Sequence, residues 1–97
     1  MNGKEFYIYI ITNKKLGTIY IGYANDMKDR MRRHKSGNGS VFAKRYNLDK
    51  LVYYEKYKFP NVAIKREKQL KKWKRQWKIN LINDFNPDWE DLTYFFE

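Results

Sequence analysis

Two runs of aromatic and aliphatic residues open the chain, FYIYII at Phe6–Ile11 and TIYIGY at Thr18–Tyr23, with the polar stretch NKKLG between them. Strand-forming residues on either side of turn formers predict a β-hairpin. A turn at Asn13–Leu16 sets Thr12 opposite Gly17 and, counting back along both strands, Tyr9 opposite Tyr20 on one face. Asn25 or Asp26 is placed to cap a helix of about ten residues, MKDRMRRHKS, which GNGS ends. At the spacing i, i+3, i+4, i+7, one stripe of that helix carries Met27, Arg30, Met31 and His34. The methionines mark the buried side, so Arg30 and His34 point partly inward while Lys28, Arg32 and Lys35 face water. Val41–Tyr46 predicts a short helix, and the β-formers of Lys50–Tyr57 a third strand that Phe59-Pro60-Asn61 ends. Asn61 then caps a long helix, VAIKREKQLKKWKRQWKINLI, with a break near Arg75. Asn86-Pro87 stops regular structure, and DWEDL adds a turn. The order ββα(α)βαα predicts an α+β fold, a three-stranded antiparallel sheet flanked by helices.

A chain of 97 residues has room for one domain, read as 1–97. Hydrophobic residues make up 42% and aromatics 19%, enough large apolar surface to form a core and exclude a disordered chain. The absence of cysteine excludes disulfides, thiolate zinc sites and cysteine nucleophiles, and agrees with a reducing compartment. Any metal falls to oxygen ligands or to the single histidine. No apolar run approaches the roughly 20 residues needed to span a bilayer. The start MNGKEFYIYIITNKK lacks a secretory pattern. The expectation is a cytoplasmic protein with no membrane contact.

Charge narrows the partners. The formal net charge is +10, which points to a polyanion. Between Asn61 and Asn80 lie Lys65, Arg66, Lys68, Lys71, Lys72, Lys74, Arg75 and Lys78 with a single acid, Glu67. From Asn83 onward there are acids and no base. A solvated lysine-rich helix beside an acidic tail is the plain reading, and nucleic acid is the sharper one.

Glu67 stands out on these grounds. At about 100° per residue, Ala63, Glu67 and Leu70 share one apolar stripe, so the lone acid of a basic helix faces the core. An inward carboxylate needs a counter-charge. An ion pair with Arg30 or a nearby lysine satisfies it, and so does Mg²⁺ or Mn²⁺, hard cations that take carboxylate oxygen together with waters and phosphate. Tyr9 and Tyr20 alone are explained by hairpin packing, and His34 alone by a hydrogen-bonding role near a helix end. Together with Arg30 and Glu67 they form a set able to cleave a phosphodiester: a base for water, a cation for developing charge and a metal for the phosphate and leaving oxygen.

The residues Tyr7-Ile8-Tyr9, Tyr20-Ile21-Gly22, Arg30, His34 and Glu67 within AIKREKQLKKW resemble the motifs of the GIY-YIG nuclease superfamily, most closely its small single-domain bacterial YhbQ-type branch. The resemblance extends through FAKRYNLDKLVYYE and NPDWEDL. It implies a divalent-metal-dependent endonuclease acting on DNA, including structured or repair-associated DNA. A non-catalytic nucleic-acid-binding module on the same scaffold is the alternative. Tyr9 and Tyr20 would line the site, one of them orienting or deprotonating the attacking water. Arg30 would bind the scissile phosphate, Glu67 would hold the cation, and His34 would assist by hydrogen bonding. A late asparagine completes such sites; Asn86 is the choice, with Asn80 and Asn83 competing. Lys35, Lys44, Arg45, Lys68, Lys71 and Lys72 would contact phosphates. The first motif's glycine is replaced here by Tyr7. Relatives draw specificity from an attached DNA-binding module, so a protein partner is expected to supply it here.

Overall fold

The computed structural model describes residues 4–97; the first three residues of the 1–97 span lie outside it. Strand β1 (Phe6–Thr12) and strand β2 (Ile19–Ala24) are followed by helix α1 (Met27–Lys35) and helix α2 (Val41–Arg45). Strand β3 (Lys50–Tyr57), helix α3 (Pro60–Lys72), helix α4 (Arg75–Phe85) and a 3₁₀ turn at Thr93–Phe96 complete the chain. The sheet is antiparallel in the order β2-β1-β3, so the first strand is the central one. This is the α+β arrangement expected from the order of elements.

Alternation along β1 divides the core into two layers. Ile8 and Ile10 pack with Ile21, Tyr53 and the apolar residues of α3 and α4: Ala63, Leu70, Ile79 and Ile82. Tyr9 and Ile11 face the other way, onto Met27 and Met31 of α1, Ala43 of α2, Leu48 and Leu51. Asp26 caps α1, its Oδ1 accepting from the Asp29 N–H at 3.0 Å. Helix α3 starts differently from expectation. Its N-cap is Phe59, with Pro60 at the first helical position, and Asn61 lies one residue inside. Proline suits that position because its fixed φ matches the helix and its missing N–H would have had no partner. The break between α3 and α4 falls at Trp73-Lys74, where both residues turn extended. Helix α3 is fixed to the sheet by Arg66, whose Nε and Nη2 donate to the half-buried Glu55 carboxylate at 2.9 and 3.0 Å. The hydroxyls of Tyr53 and Tyr57 donate to the same carboxylate.

The hairpin register corrects the sequence expectation. Thr12 pairs with Ile19 rather than Gly17, Tyr9 faces Gly22, and Tyr20 faces Ile11. The connection spans six residues, Asn13 to Thr18. The Asn13 side chain closes it by accepting from the Thr18 N–H at 3.1 Å, and Thr12 donates to the Lys14 carbonyl at 2.9 Å. The slip is two residues, so Tyr9 and Tyr20 keep a common face as diagonal neighbours.

The outer edge of β3 is bonded at its start, at Leu51 and Val52, by the C-terminal segment. The ladder slips between Ile10 and Ile11, which face Tyr53 and Leu51 and leave Val52 bulged. The buried Asn86 donates to the Val52 carbonyl at 3.1 Å and the Glu90 carbonyl at 2.8 Å, and accepts from the Glu90 N–H. Asp91 accepts from the Leu51 N–H, and the Leu92 N–H donates to the Leu51 carbonyl. That part of the edge has no free backbone groups to offer another strand. Asn86→Ala leaves three backbone groups without partners, and should lower stability by about 3 kcal/mol in urea unfolding. The fluorescence of the buried Trp89 is a suitable probe.

Candidate active site

The Tyr9 side chain is wholly buried in the middle of the sheet, and its phenol crosses over the position opposite, Gly22. A Cβ built on Gly22 would come within 2.4 Å of the Tyr9 hydroxyl oxygen, so only glycine admits the ring there. Two side chains one helical turn apart on α1 meet that oxygen. Arg30 Nη1 donates to it at 3.2 Å, and His34 Nε2 lies 2.9 Å away. Arg30 Nη1 also donates to the Tyr23 carbonyl of β2 at 2.7 Å, which anchors the guanidinium to the strand. The inward stripe expected for α1 is present: Met27, Met31 and His34 are buried and Arg30 is half-buried.

His34 packs against Gly39, where a Cβ would lie 2.1 Å from Nδ1. That nitrogen has no hydrogen-bond partner among the described residues. The contact between Nε2 and the Tyr9 hydroxyl is a hydrogen bond in either tautomer of the neutral imidazole, with the ring donating in one and accepting in the other. Burial, aided by the nearby Arg30 charge, pushes His34 down to about 4, so the ring is neutral at physiological pH. Burial pushes Tyr9 up to about 12 against the opposing pull of Arg30, and Tyr9 stays a phenol.

The site opens at the free edge of β2. Tyr20, Ile19, Ile21 and Phe42 line a shallow groove of about 380 Å³ with Lys71 and Lys78. The Tyr20 ring lies 6.1 Å from that of His34, and its hydroxyl makes no hydrogen bond among the described residues. Glu67 approaches from α3 with only 17% of its side chain exposed, and its counter-charge is Lys71, Nζ to Oε2 3.2 Å. Of the two cations weighed for that pairing, it is the lysine. Half of the Lys71 side chain is exposed, so the pair is weak, within about 1 kcal/mol, and easily displaced.

No cluster of three or more His, Cys, Asp or Glu side chains able to hold a metal occurs among the described residues. Glu67 is thus a single hard-oxygen donor. A lone carboxylate of this kind fits a hard divalent cation whose remaining ligands are water and phosphate.

The other predicted residues are dispersed. Asn86 is engaged in its turn at β3, and no hydrogen bond links it to Tyr9, Arg30 or His34 among the described residues. The competitors are also engaged: Asn80 accepts from Gln76 and Asn83 from Trp89. Lys35 is held by Asp91 at 2.6 Å and the Asp49 carbonyl at 2.9 Å. Lys44 and Arg45 are exposed on α2, and Lys68, Lys71 and Lys72 on α3. Sequence reasoning missed Gly39 and Phe42, and named Gly22 only as a member of the second motif without its role beneath the Tyr9 ring. A lone glycine inside a strand pattern is the available signal for Gly22.

The family profile described as "GIY-YIG catalytic domain" matches residues 5–80, most of the chain. The chain belongs to the GIY-YIG family. Its relatives include a UPF0213 protein of Staphylococcus saprophyticus, 38% identical over 80 residues that make up 82% of this chain and 96% of that one. A UPF0213 protein of Staphylococcus aureus is 36% identical over 78 residues, 80% of this chain and 94% of its own. The solution NMR structure of a UPF0213 protein from Bacillus halodurans superposes with a TM-score of 0.56 at 26% identity. It covers 90% of this chain and 92% of that one. The GIY-YIG fold expected from the motifs is therefore the fold of this protein. Among the described residues no helix is long and apolar enough to cross a membrane.

His34 is the only histidine of this GIY-YIG chain, so its titration reads the site directly. The folded protein keeps it neutral down to about pH 4, whereas the unfolded chain protonates it near 6.5. In that window the unfolded state binds the extra proton. The neutral histidine's share of stability is therefore complete above about pH 6.5 and is lost as the pH falls toward 4. The loss is on the order of 3 kcal/mol. His34→Gln should flatten that part of a urea stability profile. NMR of the imidazole should give a midpoint near 4 in the wild type, rising toward the ordinary value in Arg30→Ala. A wild-type midpoint near 6.5 contradicts the burial argument.

Proposed function

We propose that the protein hydrolyses phosphodiester bonds in DNA with one divalent cation, Mg²⁺ or Mn²⁺, held by Glu67. The observation that carries this reading is the convergence of Arg30 and His34 on the Tyr9 hydroxyl beside a lysine-lined groove. Membership of a nuclease family supports it.

Each group has a role suited to its surroundings. Arg30 uses only Nη1 on the protein, so its other N–H donors are free among the described residues for a phosphate whose charge grows in the transition state. Tyr9, a wholly buried phenol bonded to Arg30 and His34, positions those two side chains rather than meeting the water itself; its raised pKa makes it a poor base. Tyr20 lines the groove with its hydroxyl uncommitted, and we assign to it the water's proton, its oxygen accepting that proton as its own O–H proton passes to solvent. His34 holds Tyr9 in register. Glu67 carries the cation, which supplies charge to the phosphate and leaving oxygen when bound. Lys71, Lys78 and the exposed Lys68 and Lys72 hold the strand's phosphates. The reading extends to the chain acting as one domain in the cytoplasm, on structured or repair-associated DNA, with a protein partner supplying specificity.

Single-stranded, duplex and branched DNA are incubated with the protein in Mg²⁺, in Mn²⁺ and in chelator. Wild type should cleave only with the cation, Glu67→Gln should fall to background, and Arg30→Ala should lose about 100-fold or more in rate. Binding in chelator should weaken steeply with salt, by about 0.9 in log–log slope per phosphate contacted on duplex. Cleavage that survives in chelator or in Glu67→Gln removes the metal mechanism. Binding without any wild-type cleavage assigns a non-catalytic nucleic-acid module instead.

A further inference from the structure

The groove at the β2 edge continues onto a row of aromatic rings that the hydrolytic scheme does not use. Tyr20 stacks on Phe42 at 6.1 Å with an interplanar angle of 27°, and Phe42 lies 4.9 Å from Tyr46. Phe42, on helix α2, and Tyr46, the residue that caps its C-terminus, remain 44% and 42% exposed, and the helix buries Ala43 alone. Solvent-facing rings in a row along so short an element are not explained by core packing.

Their surroundings are cationic. No acid occurs between Arg30 and Leu48. Arg45 stands 5.9 Å over the Tyr46 ring, and Lys71 and Lys78 line the groove shared with Tyr20 and Phe42. Ring faces for bases beside cations for phosphates are the combination that binds single strands, because unpaired bases expose their faces whereas paired bases are stacked within the duplex. The charge is wrong for a cationic partner, and the groove is too shallow and open to enclose a small apolar ligand.

We propose that Phe42 and Tyr46 form a base-stacking platform that selects unpaired nucleotides in the DNA strand adjoining the Tyr9–Arg30–His34 site. This rests on the nucleic-acid reading of that site and names its substrate class. Tyr20 links platform and site, its ring touching both His34 and Phe42.

The test measures binding by fluorescence anisotropy in chelator, with an unpaired strand, a duplex and an abasic strand of equal length. Wild type should prefer the unpaired strand to the abasic one. Phe42→Ala should weaken binding to the unpaired strand by about five- to tenfold, with duplex and abasic affinities unchanged. Phe42→Tyr should restore the preference, while Phe42→Leu, which fills the space without a π-face, should not. Equal losses on all three substrates, no loss on any, or wild-type indifference to the bases overturn the platform. So does a concentration-dependent dimer in light scattering that Phe42→Ala disperses, since the rings would then cover a second copy. Because no cleavage is needed, the stacking preference can hold while hydrolysis fails. Conversely, wild-type cleavage with a neutral Phe42→Ala keeps the nuclease and removes the platform.

Discussion

The hydroxyl of Tyr9 is the point at which fold and site become one problem. A phenol at the centre of the sheet is wholly buried, and leaving it without a partner would cost about 1–3 kcal/mol. Helix α1 supplies two partners from residues four apart, Arg30 and His34. Their approach requires the absence of a side chain at Gly22 and at Gly39. The groups that satisfy the core are thus the groups that face the β2 edge. The field that keeps His34 neutral is set by the same burial that packs the strand.

The two edges of the sheet are treated in opposite ways. The β3 edge is covered at its start by the C-terminal segment, with Asp91 and Leu92 meeting Leu51 and Asn86 meeting the bulged Val52. Among the described residues the β2 edge carries no such cover. Arginines meet the backbone on either side instead, Arg30 at the Tyr23 carbonyl within β2 and Arg75 at the Leu16 and Gly17 carbonyls of the connection that precedes it. Between them runs the open groove. Covering the start of one edge removes the risk of unwanted strand pairing there, and crowding cations along the other discourages it while attracting phosphate.

Charge follows the same division. Within the C-terminal segment, Asp91 pairs with Lys35 of α1, and no acid of that segment pairs with α3 among the described residues. On α3, Arg66 is spent on Glu55 and Lys71 on Glu67, while Lys65, Lys68 and Lys72 make no ion pair among the described residues. The surplus of positive charge is therefore concentrated rather than spread, which gives a polyanion a defined side to approach.

The amino-acid pattern by itself determined the element order, the α+β class, the strand limits to within a residue or so and the inward stripe of α1. These follow from local periodicity: a strand or helix shows which residues share a face whatever it packs against. The motif residues also marked Tyr9, Tyr20, Arg30, His34 and Glu67 as a set. Only the tertiary structure decided the hairpin register, because it turned on the Asn13 side chain closing a longer connection, a choice between loops of similar energy. Only the tertiary structure chose Lys71 over Arg30 as the partner of Glu67, engaged Asn86 at a bulge that no pattern announces, and set Phe42 beside Tyr20. The Asn86–Val52 and Phe42–Tyr20 contacts join residues more than twenty positions apart and depend on registers, bulges and helix breaks acting together. Glu67, by contrast, takes its neighbour one turn along α3 because the packing leaves Arg30 engaged with Tyr9 and Tyr23.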